Sequence, residues 1–228
     1  MTMPSTELSN FLRVALDIQE TPFVGVHVAD GVMLATDGVM LVAKKFDDLV
    51  FLRGEGAISP KAARVLEALA EATWIGSVAV VGNRVTVTAR STRYEENVGE
   101  VAGEYCEVKL PDFHCPRVQI KRMLGKLEDE ALGWELLPLS DNPKFKALKE
   151  MSSKEYVALV DTPRGGEELF RPKADGDTRW YSVAQLRRGL RLFGKNSRLS
   201  VRRSSSGWLA FGDQWGYTFA VTPFVKHN

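Results

Sequence analysis

Few side chains of this sequence are spaced for catalysis or for metal binding. Cys106, His114 and Cys115 lie close together, but they lack the CxxC spacing of a structural zinc site. His27 lies on an alternating strand, where a histidine of the core or of the surface is the commoner explanation. With only three histidines, no Ser-His-Asp or Cys-His arrangement can be proposed. We therefore expect no catalytic residue, no metal and no cofactor, and hence a protein that is not an enzyme.

One stretch is close to a phosphate-binding loop. Residues 189–196, GLRLFGKN, almost match the pattern G-x-x-x-x-G-K-[ST], whose backbone cradles phosphates and whose last hydroxyl binds magnesium. Asn196 stands in place of that hydroxyl residue, and Gly189 lies inside a predicted helix instead of following a strand. We interpret the match as chance, and Asp175-Gly176-Asp177 as an ordinary turn.

Basic side chains are concentrated in two segments. Residues 144–154 carry four lysines and one glutamate, and residues 182–198 carry five cations and no acid, although the whole chain has a net charge of +1. Arg187 and Arg191 are four residues apart and share one face of a predicted helix. Because no acid neutralises this face, we expect it to contact phosphates, with simple solvation of an exposed face as the alternative.

The predicted helices of the first half carry a more mixed charge. Arg13 shares its helix with Asp17, and Lys61 and Arg64 share theirs with two glutamates. A protein that holds duplex DNA by its backbone needs cations spread over a surface rather than one recognition helix. The residues predicted to face DNA are Arg13, Lys61, Arg64, Lys144, Lys146, Lys149, Arg187, Arg188, Arg191 and Lys195.

Chain length and composition limit the class of protein. The 228 residues, 44% of them apolar, are enough for two domains. No run of about eighteen apolar residues could span a membrane, and the first residues, MTMPSTELSN, lack the features of a secretory signal. We expect a cytoplasmic protein, in the host cytoplasm if a phage encodes it, whose two cysteines remain thiols.

The predicted secondary structure repeats one order of elements. In each half, a helix and strands precede a second helix with a serine N-cap, Ser59 or Ser182, and two strands around a glycine turn, Gly82 or Gly207, follow it. The first helices are predicted over residues 8–18 and 144–151. The apolar stripe predicted for the helix after Ser59 is Ala62, Val65, Leu66 and Leu69.

This repeated order predicts a duplicated domain. We expect an α+β protein of two tandem domains, residues 1–113 and 114–228, each with antiparallel sheets and two helices. The connector is predicted in LPDFHCP, residues 110–116, where two prolines interrupt the pattern. Two unrelated α+β domains could imitate the same order.

Residues 31–46, GVMLATDGVMLVAKKF, form an apolar run that Thr36-Asp37-Gly38 interrupts. Two short strands joined by a tight Asp-Gly turn explain the pattern. A plain hairpin needs no function. Alternatively, the turn presents a small notch beside apolar side chains, where a peptide could be gripped.

Several motifs together resemble the bacterial β sliding clamp. ATDGVMLVAKK, ISPKAARVLEAL, RVTVTA and LPDF follow one another as similar motifs do in the middle domain of that family. The ending GYTFAVTPFVKHN is similar to the aromatic-Val-Val-Met-Pro-Met strand that closes the family's last domain. The resemblance is plain over residues 31–116 and 180–225, and weak over 117–179.

The resemblance implies a replication factor that does no chemistry. Bacterial clamps have three such domains per chain, whereas this chain has room for two, as in archaeal, eukaryotic and T4-like phage clamps. It therefore implies a homotrimer whose six domains close a ring around double-stranded DNA and tether a DNA polymerase. A monomeric DNA-binding replication accessory protein, or a clamp-like regulator that forms no ring, is the alternative.

The resemblance also implies a pocket for short peptides of the polymerase and the clamp loader. The His-Arg that follows the glycine in the family is Val39-Met40 here, and Thr222 and Phe224 stand in place of methionines. An ordinary edge strand ending in a proline is the alternative reading of FAVTPF. The implied pocket residues are Thr36, Gly38, Val39, Met40, Leu41, Val221, Thr222, Pro223 and Phe224.

Overall fold

The chain divides into two compact units. The computed structural model describes residues 4–18, 25–48, 50–90, 92–95, 99–110, 131–138, 148–159, 170–204 and 207–225. Unit 1 comprises Met1–Asp37 and Ala43–Ile120, and unit 2 comprises Gly38–Val42 and Lys121–Asn228. The domain boundary predicted after residue 113 lies outside the described residues and stays a prediction. No helix within the described ranges is long and apolar enough to cross a bilayer.

Unit 1 combines helices with a sheet. Its elements are α1 (Pro4–Ile18), β1 (Val26–Ala29), β2 (Val32–Thr36), the second half of β3 (Met40–Lys45), β4 (Leu52–Ile58), α2 (Pro60–Ala72), β5 (Trp74–Gly82), β6 (Arg84–Arg90), β7 (Thr92–Glu95), β8 (Gly99–Ala102) and β9 (Cys106–Lys109). The main sheet contains the order β2-β1-β4-β5-β6-β9, and β7 pairs with β8. Its pairings are antiparallel, as predicted, except that β4 and β5 run parallel because α2 carries the chain across between them.

Both helices of unit 1 begin at recognisable signals. The Ser59 hydroxyl accepts a hydrogen bond from the N–H of Ala62 at 3.2 Å, and Pro60 occupies the first helical position, as predicted. Helix α1 begins at Pro4, earlier than the predicted start at Leu8. The proline again suits a helix start, because the first N–H groups of a helix have no intrahelical partner.

The buried face of α2 differs from the predicted stripe. Ala63 and Ala70 are buried, whereas Val65 is 41% exposed and Leu69 only half-buried. Helix α1 packs against α2, and small alanine side chains let two helices approach closely. The prediction that included Val65 was therefore wrong, because the buried face is turned toward Ala63 and Ala70.

Unit 2 contains helices and two sheets. Its elements are the first half of β3, β10 (Ala131–Pro138), helical residues 148–150, β11 (Tyr156–Leu159), β12 (Phe170–Pro172), β13 (Arg179–Ser182), α3 (Val183–Leu190), β14 (Arg198–Arg203), β15 (Leu209–Asp213), β16 (Tyr217–Val221) and β17 (Phe224–Val225). One sheet has the order β10-β14-β15-β16-β3, and the other has the order β12-β11-β13-β17. The α+β class predicted from the sequence is confirmed.

Helix α3 packs on the sheet of unit 2 through a glycine. Ser182 caps the helix, as predicted, by accepting a hydrogen bond from the N–H of Gln185 at 3.4 Å. A Cβ atom at Gly189 would lie 2.0 Å from the ring of Phe219 in β16, so only glycine allows this close approach. Gly189 thus lies within a helix and packs against a strand, an arrangement unlike that of a phosphate-binding loop.

The two units repeat one pairing plan. In unit 1, β1 pairs with both β2 and β4, and β4 leads into a serine-capped helix. In unit 2, β11 pairs with both β12 and β13, and β13 leads into a serine-capped helix. The strands after each helix, β5-β6-β9 and β14-β15-β16, also pair in sequence. Therefore β9 is the counterpart of β16.

A buried histidine makes the stability of unit 1 dependent on pH. His27 lies on β1 and is only 2% exposed. Burial lowers its pKa from the usual 6.5 to about 4, because a charged imidazolium is poorly solvated there. The unfolded chain therefore takes up a proton below pH 6.5 that the folded chain excludes until about pH 4.

We predict that this histidine destabilises the protein in acid. The contribution of neutral His27 to the free energy of unfolding is complete above pH 6.5. It falls by about 3 kcal/mol as the pH drops to about 4. Denaturant unfolding of the wild type and of His27→Gln between pH 7 and pH 4.5 measures the effect. The wild type should lose more stability with falling pH than the variant, and parallel curves would contradict the assignment.

Candidate nucleic-acid and peptide surfaces

The segment from α3 to Lys195 forms a basic surface on unit 2. Val183, Leu186 and Leu190 are buried against the core, so the arginines of α3 lie on its other side. Residues 183–195 contain four cations and no acid. Arg188 is half-buried, whereas Arg191 and Lys195 are exposed. The predicted basic helix is therefore present, but it ends at Leu190, and Arg191 and Lys195 lie in the segment that follows it.

Arg187 differs from the other cations of this segment. Its Nε donates to the carbonyl of Leu148 at 2.5 Å, and its terminal nitrogen donates to the carbonyls of Lys149 and Met151. The last carbonyls of a helix have no intrahelical N–H donor, and a cation satisfies them while interacting favourably with the helix dipole. Arg187 thus caps the C-terminal end of the helical segment that contains residues 148–150.

The helix pair of unit 1 is joined by a different contact. Arg13 on α1 donates to the carboxylate of Glu71 on α2 at 2.5 Å and lies 3.7 Å from that of Glu67. Ser9 also donates to Glu71. Burial and the charge of Glu71 raise the pKa of Glu67, while Arg13 opposes this shift. Arg13 is therefore balanced by acids on the neighbouring helix.

The predicted DNA-facing residues divide between the two units. Lys61 and Arg64 are exposed on α2 of unit 1, and Lys149 is exposed in unit 2. Helices α1 and α2 together carry three cations and four acids, so the helix pair of unit 1 has no net positive charge. Lys144 and Lys146 lie outside the described residues.

Several predicted peptide residues of unit 2 lie where β3 begins and where β16 ends. The N–H of Thr222 donates to the carbonyl of Val39 at 2.8 Å, which joins the segment before β3 to the segment after β16. Gly38 is exposed, with a φ of +89° that favours glycine. Val39, Thr222 and Pro223 are partly exposed.

Other residues of the implied pocket lie in the core. Met40, Leu41 and Val221 are almost completely buried, and their side chains support the sheet rather than present a surface. Thr36 is also buried and belongs to unit 1. Among the implied pocket residues of unit 2, the accessible ones therefore lie in the turn before β3 and after the end of β16.

An aromatic patch, which we define as Tyr156, Trp180 and Phe224, extends this surface. Phe224 pairs with Trp180 across β17 and β13, and its ring meets that of Tyr156 edge-on at 5.3 Å. Phe224 and Tyr156 are 40% and 38% exposed. The ammonium of Lys173 lies 3.7 Å from the centre of the Trp180 ring, a cation–π contact. Sequence reasoning found only Phe224, because no local pattern indicates that β11 and β13 place aromatic residues beside it.

Solved structures of DNA sliding clamps share this fold. The chain is similar to a chain of the PCNA2–PCNA3 complex of Sulfolobus tokodaii, with 10% identity, a TM-score of 0.55 and coverage of 99% of this chain and 98% of that chain. It is also similar to A. fulgidus PCNA bound to the C-terminal region of FEN-1, with 14% identity, a TM-score of 0.57 and coverage of 99% and 98%.

A bacterial clamp gives a comparable match. The DNA polymerase sliding clamp of Pseudomonas aeruginosa has 13% identity and a TM-score of 0.57, and the match covers 98% of this chain but 65% of the clamp chain. No family model and no curated protein sequence matches the chain. The chain therefore has the sliding-clamp fold, and the predicted resemblance is confirmed at that level.

We predict that the Thr222–Val39 hydrogen bond holds the C-terminal strand end in place. Thr222→Pro removes the N–H donor, whereas the control Thr222→Ala retains it. The proline variant should lose about 1–2 kcal/mol of unfolding free energy and should exchange amide hydrogens faster over residues 217–225. Equal exchange in the two variants would contradict this role.

Proposed function

We propose that this protein is a DNA sliding clamp, a processivity factor that encircles duplex DNA and tethers a polymerase. The observation that carries the proposal is the match of nearly the whole chain to nearly the whole of two PCNA chains. The basic surface of unit 2 supports it, because this surface has the charge that a phosphate backbone requires.

A clamp acts by linkage and performs no bond chemistry. Holding a polymerase on DNA raises its effective concentration at the primer end, as any tether does. The contacts to DNA must attract phosphates without fixing the protein to one sequence. Spread lysines and arginines, with water between some of them and the phosphates, meet both requirements.

We further propose that three copies close a ring and that β9 forms one side of the contact between copies. Among the described strands, β9 pairs only with β6, and none of them pairs with its other edge. Its counterpart β16 pairs with β3 on the equivalent side. Since β16 pairs with a strand at the corresponding edge, the edge of β9 that no described strand pairs with is suited to accept a strand from unit 2 of a neighbouring copy.

The register shows which groups of β9 are directed outward. The N–H of Leu110 donates to the carbonyl of Val85 at 2.9 Å, toward β6. In an antiparallel ladder, alternate residues direct their N–H groups to the same neighbour. Glu107 and Lys109, which lie opposite Thr88 and Thr86, therefore direct their N–H groups away from β6.

Solution mass tests the ring. We expect light scattering to give about 76 kDa, three times the 25.3 kDa of one chain. Lys109→Pro removes an outward N–H and should shift the mass toward one copy while the folded chain persists by circular dichroism. The control Lys109→Ala retains the N–H and should stay trimeric. A wild-type monomer at all concentrations would overturn the ring and favour a monomeric accessory protein.

We also propose that short peptides of the polymerase and the clamp loader bind beside Gly38 and the aromatic patch. Exposed aromatic rings next to a strand end offer apolar contact area, and the strand backbone offers hydrogen bonds. The A. fulgidus neighbour binds the C-terminal region of FEN-1, which provides a probe for this surface.

Binding of that probe should depend on Phe224. We expect saturable binding of the FEN-1 C-terminal peptide by calorimetry, weakened about tenfold or more by Phe224→Ala, because truncating a central aromatic residue commonly costs 2 kcal/mol or more. Val81→Ala, at an exposed valine of unit 1, is the matched control and should bind normally. Equal affinities of the wild type and Phe224→Ala would exclude this surface.

A further inference from the structure

The three hydrogen bonds of Arg187 connect α3 to the preceding basic segment. The guanidinium belongs to α3, and its acceptors are the carbonyls of Leu148, Lys149 and Met151. Leu148 is buried, whereas Lys149 is exposed directly after it. The contact therefore fixes the backbone from which the Lys149 side chain extends.

An arginine is well suited to this contact. Its planar group offers donors in a fixed fork, so that one side chain can reach several carbonyls. A lysine carries the same charge but presents it as a point on a flexible stem. The position thus requires the shape of arginine as well as its charge.

The helix contact of unit 1 has the opposite electrostatic outcome. There Arg13 faces the carboxylates of Glu67 and Glu71, and its charge is cancelled locally. In unit 2, the acceptors are neutral carbonyls, so the charge of Arg187 is added to that of the basic surface. In both units an arginine joins two helical segments, but its charge is cancelled in unit 1 and retained in unit 2.

We propose that Arg187 is a positioning residue for DNA binding by unit 2. It holds Lys149 beside the cations of α3 and of the segment after it, so that Lys149, Arg188, Arg191 and Lys195 act as one surface toward phosphates. Its own donors serve the carbonyls and not the DNA. This inference rests on the proposed function, because it assumes that unit 2 binds duplex DNA.

A double-mutant cycle separates positioning from direct contact. The variants are Arg187→Met, Lys149→Ala and the pair, and methionine keeps an apolar stem while it removes the donors. Affinity for a mixed-sequence duplex of about 25 base pairs is measured by fluorescence anisotropy between 50 and 200 mM salt, because phosphate contacts give a salt dependence. Arg84→Met, which removes an exposed charge on β6 of unit 1, outside the basic segments, is the control.

Positioning predicts losses that do not add. Lys149→Ala should weaken binding about three- to tenfold and lower the salt slope by about 1, the effect of one phosphate contact. Arg187→Met should weaken binding in the wild type by a similar factor and should have little further effect once Lys149 is absent. Arg84→Met should change affinity by no more than about twofold.

The conservative variant Arg187→Lys provides a second test. It keeps the charge but cannot reproduce the fork, so it should also weaken binding and should increase hydrogen exchange over residues 148–155. The mass by light scattering should remain that of the wild type, which separates this effect from loss of the ring. Full affinity in Arg187→Lys would overturn the inference, since charge alone would then suffice.

The outcomes for this inference and for the proposed function are distinct. Equal losses from Arg187→Met with and without Lys149 would mean that Arg187 contacts phosphate itself. That result would overturn the positioning role but not the proposed function. Absence of salt-dependent DNA binding by the wild type would overturn the proposed function together with this inference. Losses that do not add, with binding by the wild type intact, support both.

Discussion

The passage of residues 38–42 through the sheet of unit 2 is the constraint on which the other features depend. The chain leaves unit 1 after Asp37 and returns to it at Ala43. Between these points Met40 and Leu41 are buried, and Val39 accepts the Thr222 N–H. Gly38 in the turn before them has a φ of +89°, which explains why a glycine interrupts an otherwise apolar run.

Local chemistry made much of the fold predictable. Ser59 and Ser182 both cap helices, because a serine hydroxyl satisfies a free N–H wherever a helix begins. The glycine turns at Gly82 and Gly207 have positive φ values, as tight turns require. The buried face of α2 was predictable only in part. It depends on how α2 packs against other elements, and a long-range contact of this kind leaves no periodic signal in one helix.

The candidate site was less predictable because its contacts join distant residues. The sequence indicates a basic helix around Arg187, but not that this side chain points at carbonyls almost forty positions earlier. Likewise Phe224 was found through a resemblance, whereas Tyr156 enters the patch only through the pairing of β11, β13 and β17. Charge and hydrophobicity can be read from a sequence, but the partner of each group is set by topology.

The two units share one pairing plan but differ in the net charge at their helix contacts. Both join their helices through an arginine, Arg13 or Arg187, yet only Arg13 meets carboxylates. A carbonyl accepts hydrogen bonds without cancelling the charge of the donor, so a helix contact of this kind leaves the positive potential intact. A carboxylate at the same distance removes it. The acceptor at each helix contact therefore decides whether the charge of the arginine is cancelled locally, and in unit 2 the carbonyl acceptors leave it in place.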